Sequence, residues 1–94
     1  MSKLFLIPTP IGNLADITQR SVSLLSSVDY ILCEDTRRTV KLMNHLKIKN
    51  FLKSFHKFNE HSKIQSIIDD LKSGKVIGLV SDAGTPGISD PGYL

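Results

Sequence analysis

The sequence predicts an α/β domain with a mainly parallel sheet flanked by helices. Two observations carry that expectation. Four apolar runs of strand length, at residues 4–7, 30–33, 51–55 and from Val76 onward, alternate with three segments of helical pattern. The runs are continuous, as in strands covered on both faces, and the segments between them suit right-handed crossovers. This alternation does not determine the strand order.

Leu4-Phe-Leu-Ile7 supplies the first strand, and the stretch from Thr9 to Ala15 a loop. Asp16, with Gln19 three residues on, predicts a capping-box start to a helix that runs to about Val28. Ile17, Leu24 and Val28, with Val22 and Leu25 beside them, give this helix its apolar face. Tyr30-Ile-Leu-Cys33 is the second strand. Asp35 or Thr36 then caps a helix to about Leu46, with Val40, Met43 and Leu46 inward. The third strand is short, and of Phe51, Phe55 and Phe58 two belong to packing while Phe58 is the exposed one. Asn59 opens the last helix, whose Ile64, Ile67, Ile68 and Leu71 form one stripe. That helix stops at Ser73-Gly74, with Gly74 in the left-handed conformation.

The chain then breaks into a loop dense in turn formers. Between Gly84 and Gly92 it holds three glycines and two prolines, so backbone can turn sharply and approach a ligand closely. In an open parallel sheet ligands bind beyond the carboxyl ends of the strands, where this loop falls. Two other junctions open at the same side, the loop after residue 7 and Glu34-Asp-Thr-Arg37. Neither carries a Gly-x-Gly-x-x-Gly fingerprint, which disfavours the usual nicotinamide dinucleotide fold. Gly74-Lys75 lacks the upstream glycine of a phosphate loop.

Net charge is +3, but its distribution is uneven. From Arg37 through Lys57 there are seven basic residues and no acidic ones, while the remainder carries five basic against nine acidic. That segment suggests a polyanionic partner. The single Cys33 forms no internal disulfide, and no His or Cys spacing suggests a metal, so a reducing, metal-free, cytoplasmic setting is expected. The first apolar run is too short for a signal peptide or a spanning helix, and no membrane association is expected.

Ser81-Asp-Ala-Gly-Thr-Pro-Gly-Ile-Ser-Asp-Pro-Gly92, taken with Pro8-Thr-Pro-Ile-Gly-Asn-Leu-Ala-Asp-Ile-Thr18 and Glu34-Asp-Thr-Arg37, resembles the amino-terminal part of the ribosomal RNA small-subunit methyltransferase I family, within the tetrapyrrole methylase superfamily. The resemblance runs from about Leu4 to Leu94. It implies a domain at residues 1–94 that lacks a last strand and a second domain, so that the fragment alone is inactive. It implies S-adenosylmethionine as cofactor and 2′-O-methylation of a cytidine in small-subunit ribosomal RNA, with a homodimer expected of the complete protein. Carried over by position, Pro10, Ile11, Ala83, Gly84, Thr85 and Ile88 are the cofactor candidates. Thr85 stands where the wider superfamily has Asp, so a carboxylate contact there falls to Asp82 or Asp90 or is absent. Glu34, Asp35 and Asp82 are the candidates for a catalytic base, although Asp35 also suits a helix cap. Arg37, Arg38, Lys47, Lys49, Lys53, His56 and Lys57 are the RNA-binding candidates. Two alternatives stay open: a non-catalytic nucleic-acid-binding domain, and a methylase of a small tetrapyrrole-like substrate, which the basic segment argues against.

Overall fold

The computed structural model describes residues 3–10, 14–55 and 60–82. Its elements are β1 (Lys3–Thr9), a 3-10 turn (Leu14–Asp16), α1 (Gln19–Ser27), β2 (Tyr30–Cys33), α2 (Thr36–Leu46), β3 (Leu52–Ser54), α3 (Glu60–Lys72) and β4 (Val76–Asp82). The four strands form one sheet in the order β1-β4-β2-β3, and every neighbouring pair is parallel. The α/β class is as the sequence predicts. The order places β4, last in the chain, between β1 and β2, so seven residues of β4 pair with β1 and three with β2.

Side chains on the two faces of the sheet meet different helices. On one face Ile7 and Ile31 pack with Leu25 and Val28 at the end of α1 and with Leu42 and Met43 of α2. On the other, Tyr30, Leu32 and Ile77 pack with Ile67 and Leu71 of α3 and with Phe55. Gly78 sits at the tightest point. A Cβ there would lie 2.6 Å from Ile7 Cδ1 and 3.3 Å from Val28 Cγ2, so only glycine lets these side chains close over the central strand.

Several expectations need correction. β1 continues through Pro8 to Thr9, beyond the apolar run. Pro8 is tolerated because β1 has no hydrogen-bonded neighbour on its outer side among the described residues. Its run is also covered on one face only: Ile7 and Thr9 are buried on the side of α1 and α2, whereas Leu4 and Leu6 remain 50% and 53% exposed. Asp16 lies in the 3-10 turn and does not cap α1. Thr18 does, its hydroxyl oxygen accepting from the Ser21 N–H at 3.1 Å, because it stands directly before the first helical turn. In α2 the inward face is Thr39, Leu42 and Met43, while Val40 is exposed. Met43 and Leu46 pack inward as expected, and burial of Thr39 is tolerated because its hydroxyl donates to the Asp35 carbonyl at 3.3 Å. Ile64 and Ile68 of α3 stay partly exposed, since the sheet meets the helix along Ile67 and Leu71. Of the three phenylalanines, Phe55 packs but Phe51 is exposed, and Phe58 lies outside the described residues.

The expected left-handed stop is present, and a second was not foreseen. Gly74 adopts φ 96° after α3. α2 ends on Lys47 at φ 59° and ψ 38°, a left-handed residue without glycine, whose N–H donates to the Asn44 and Met43 carbonyls.

Candidate functional site

Parallel pairing throughout brings the carboxyl ends of all four strands, Thr9, Cys33, Ser54 and Asp82, to one side of the sheet. Thr9 is directly opposite Asp82 in the register. The end of β1 is held from two directions. The Thr9 hydroxyl donates to the Ser81 carbonyl at 3.2 Å, and the Ser21 hydroxyl of α1 donates to the Pro8 carbonyl at 2.9 Å. Thr9 and Ser21 are both buried, so each hydroxyl is satisfied within the fold and fixes the backbone from which Pro10 emerges, itself half-buried. Sequence reasoning did not find this clamp. The available signal was a hydroxyl residue at the end of an apolar strand.

The next loop opens at β2. Cys33 is buried, and its thiol contacts the Lys53 carbonyl at 3.9 Å. Burial pushes this thiol up, a hydrogen bond with Thr39 lowers it in part and the Asp35 charge raises it, so the net shift is upward and the group stays neutral. Glu34 and Asp35 follow on the exposed side. Asp35 is the N-cap of α2: its Oδ1 accepts from the Arg37 N–H at 3.0 Å and meets Arg37 Nε at 3.5 Å. What desolvation Asp35 feels raises its carboxyl. The Arg37 N–H, the Arg37 charge and the Arg38 N–H outweigh that and leave it below the usual carboxylate range. β4 extends three residues beyond the position opposite Leu32, so Asp82 ends the neighbouring strand on the side where Glu34 and Asp35 lie.

The basic candidates are spread along the molecule. Arg37 and Arg38 lie in the first turn of α2, at the strand-end side, with the Arg37 side chain 92% exposed. Lys47 and Lys49 lie past the far end of that helix, about 16 Å away for eleven residues at 1.5 Å each. Lys53 is on β3, its ammonium 4.2 Å from the centre of the Tyr30 ring on the α3 side. Ile11, His56, Lys57, Ala83, Gly84, Thr85 and Ile88 lie outside the described residues, and so does the side chain of Asp82. Among the described residues no group of three His, Cys, Asp or Glu is placed to hold a metal ion. No helix among them is long and apolar enough to cross a membrane.

Comparison with known proteins adds to this geometry. The family model for tetrapyrrole (corrin/porphyrin) methylases matches residues 3–94. The chain is 52% identical over 94 residues to a protein of Mycoplasmopsis pulmonis, covering all of this chain and 42% of that protein. It is 57% identical over 90 residues to one of Vibrio cholerae, covering 96% of this chain and 31% of that protein. It is 54% identical over 93 residues to one of Thermotoga maritima, covering 99% and 42%. All three bear the name ribosomal RNA small subunit methyltransferase I. The chain thus spans between about a third and two fifths of the length of these relatives.

Proposed function

The chain belongs to the tetrapyrrole (corrin/porphyrin) methylase family, and from that premise we propose that it is the amino-terminal part of an enzyme that methylates small-subunit ribosomal RNA, taking the methyl group from S-adenosylmethionine and placing it on a cytidine 2′-hydroxyl. The relatives' names support the RNA substrate. The methyl donor and the cytidine 2′-hydroxyl are what the family resemblance implies, and the structural support for a cofactor site at the strand ends is their register. Thr9 and Asp82 stop level with each other, at the side of the sheet where Glu34 and Asp35 follow β2.

The donor set fits the cofactor. S-adenosylmethionine, when bound, supplies a methyl group on a cationic sulfonium and also carries an ammonium. The described strand-end acids, Glu34 and Asp35, are of complementary charge and exposed. Pro10 rises from a backbone fixed by Thr9 and Ser21 and would form one wall. Ile11, Ala83, Gly84, Thr85 and Ile88 complete the proposed contacts on sequence alone.

Transfer to a ribose hydroxyl requires alignment first and removal of a weakly acidic proton second. Asp35 is the poorer base, because its carboxylate already accepts the Arg37 N–H and holds a depressed proton affinity. Glu34, with Asp82 on the adjacent strand, is the better placed acceptor for the 2′-hydroxyl proton. Arg37 and Arg38, one turn away, would hold a phosphate of the RNA beside the reacting ribose. The proposed complete enzyme is a cytoplasmic homodimer needing neither metal nor membrane.

The test is equilibrium binding of S-adenosylmethionine to the full-length protein, followed by mass analysis of nucleosides from ribosomal RNA treated with it. A 2′-O-methylcytidine in the small-subunit RNA is expected. A methyl group found on a base, or on a small tetrapyrrole and not on RNA, overturns the reading.

A further inference from the structure

Phe51 is the most exposed large apolar residue among those described, at 76%. Single exposed apolar side chains are ordinary and need no explanation by themselves. Phe51 differs in how it is held. The Asn50 side chain donates from Nδ2 to the Leu25 and Val28 carbonyls, both at 2.9 Å, which ties the loop to the end of α1. The Phe51 N–H donates back to Asn50 Oδ1 at 2.7 Å, and the Phe51 carbonyl accepts from the Ile31 N–H at 2.8 Å. The backbone on both sides of the ring is therefore fixed, and the ring projects from a rigid base and not from a free loop. The backbone entropy of this segment is thus already lost before anything covers the ring, leaving only the side chain's own rotamer freedom to be lost.

Its surroundings select the partner. Lys47 and Lys49 precede it and are exposed, Lys53 follows with its ammonium over the Tyr30 ring, and no acidic residue occurs between Arg37 and Lys57. An exposed aromatic with lysines two and four residues before it is of the composition that stacks an unpaired base while the lysines meet the flanking phosphates. The position is at the other end of β3 from the strand ends, about 10 Å away for three residues at roughly 3.3 Å each. Phe51 stands before the first residue of β3, at the opposite side of the sheet from Cys33 and Ser54. Between the two places runs α2, on which Arg37, Lys41 and His45, spaced four apart, are exposed along one face.

We propose that Phe51, with Lys47 and Lys49, is a second RNA contact distinct from the strand-end site, on which one unpaired base of single-stranded RNA stacks, so that α2 forms a cationic track between the two. This rests on the reading of RNA as substrate. It adds a substrate-positioning residue that takes no part in methyl transfer.

The test uses the full-length protein and an unstructured oligoribonucleotide carrying one 2-aminopurine, titrated across a range of salt. Phe51→Ala should weaken binding roughly tenfold or more and abolish the fluorescence quenching that stacking causes, with the salt slope unchanged. Phe51→Tyr should retain both affinity and quenching. Lys49→Gln should keep the quenching and flatten the salt slope by about 0.7 logarithmic units for its one phosphate. If wild-type protein binds the RNA and Phe51→Ala binds equally well, the stacking contact is overturned while the RNA reading stands. If wild-type protein does not bind the RNA at all, both fall. If Phe51→Ala alters only self-association in sedimentation, the ring is a protein contact and the proposal is likewise overturned.

Discussion

Lys47 ends α2 in the left-handed region, where an L side chain costs roughly 1–2 kcal/mol and glycine costs little. Lys47→Gly should therefore stabilise the fold, by under about 1 kcal/mol once the greater freedom of glycine in the unfolded chain is subtracted, read as a higher denaturation midpoint in urea. The same change removes a cation from the proposed RNA track, so stability and RNA affinity should move in opposite directions. Asp35 gives the second residue-scale prediction. Its folded carboxyl lies below the ordinary range, so the stability it contributes is present above the unfolded value near 4 and is lost as pH falls through the folded value. Asp35→Ala should lower the melting temperature at pH 7, and the deficit should shrink on acidification below about pH 4. A deficit that stays constant with pH would mean that the charge plays no part in the cap.

At the scale of elements, α3 is joined to the sheet by more than its apolar side chains. The Tyr30 hydroxyl of β2 donates to Asp70 Oδ2, and Asp70 also meets Lys75 at 4.0 Å in the turn before β4. Burial, then the hydrogen bond to Asp70 and then its charge, push the phenol well above its ordinary value. Tyr30→Phe should cost about 1–2 kcal/mol, toward the low end for a bond to a charged group because Lys75 still partners Asp70. The sign of the pH effect is also set. With the folded value raised, this contribution is complete below pH 10 and declines above it, so the wild-type advantage over Tyr30→Phe should narrow as pH rises past about 10. Urea unfolding of both proteins between pH 8 and 11 measures it.

For the molecule as a whole, the consequential surface is the outer edge of β1. Seven residues of strand face outward from the sheet with no neighbour on that side among the described residues, and Leu4 and Leu6 are about half exposed on the same strand. Such an edge is a template for pairing with another chain. The isolated 94-residue chain should self-associate with rising concentration, and Leu6→Lys should reduce that association while changing stability little, because Leu6 is not in the buried core. Sedimentation at several concentrations decides it, and equal association by wild type and Leu6→Lys would remove this edge as the cause.

Alternation of apolar runs with helical patterns was enough to read the α/β class, and β2 and the caps at Asp35 and Gly74 were legible because each depends on residues close in sequence. The Ser81–Gly92 motif likewise marked out the family, since its composition is local. What tertiary structure decided was every feature that depends on which elements become neighbours. Strand order left β1 without a neighbour on its outer side among the described residues, and Leu4 and Leu6, indistinguishable in sequence from buried residues, stay half exposed while Ile7 and Thr9 of the same strand are covered. The sheet chose Ile67 and Leu71 from a wider stripe on α3, and Thr39 entered the core while Val40 stayed exposed, its hydroxyl satisfied within α2 by the Asp35 carbonyl. Phe51 read as core by its type, but Asn50, bound to two carbonyls 22 and 25 residues away, fixes the loop that turns it outward. Apolar periodicity records what a side chain prefers, whereas burial depends on long-range packing that no local pattern encodes.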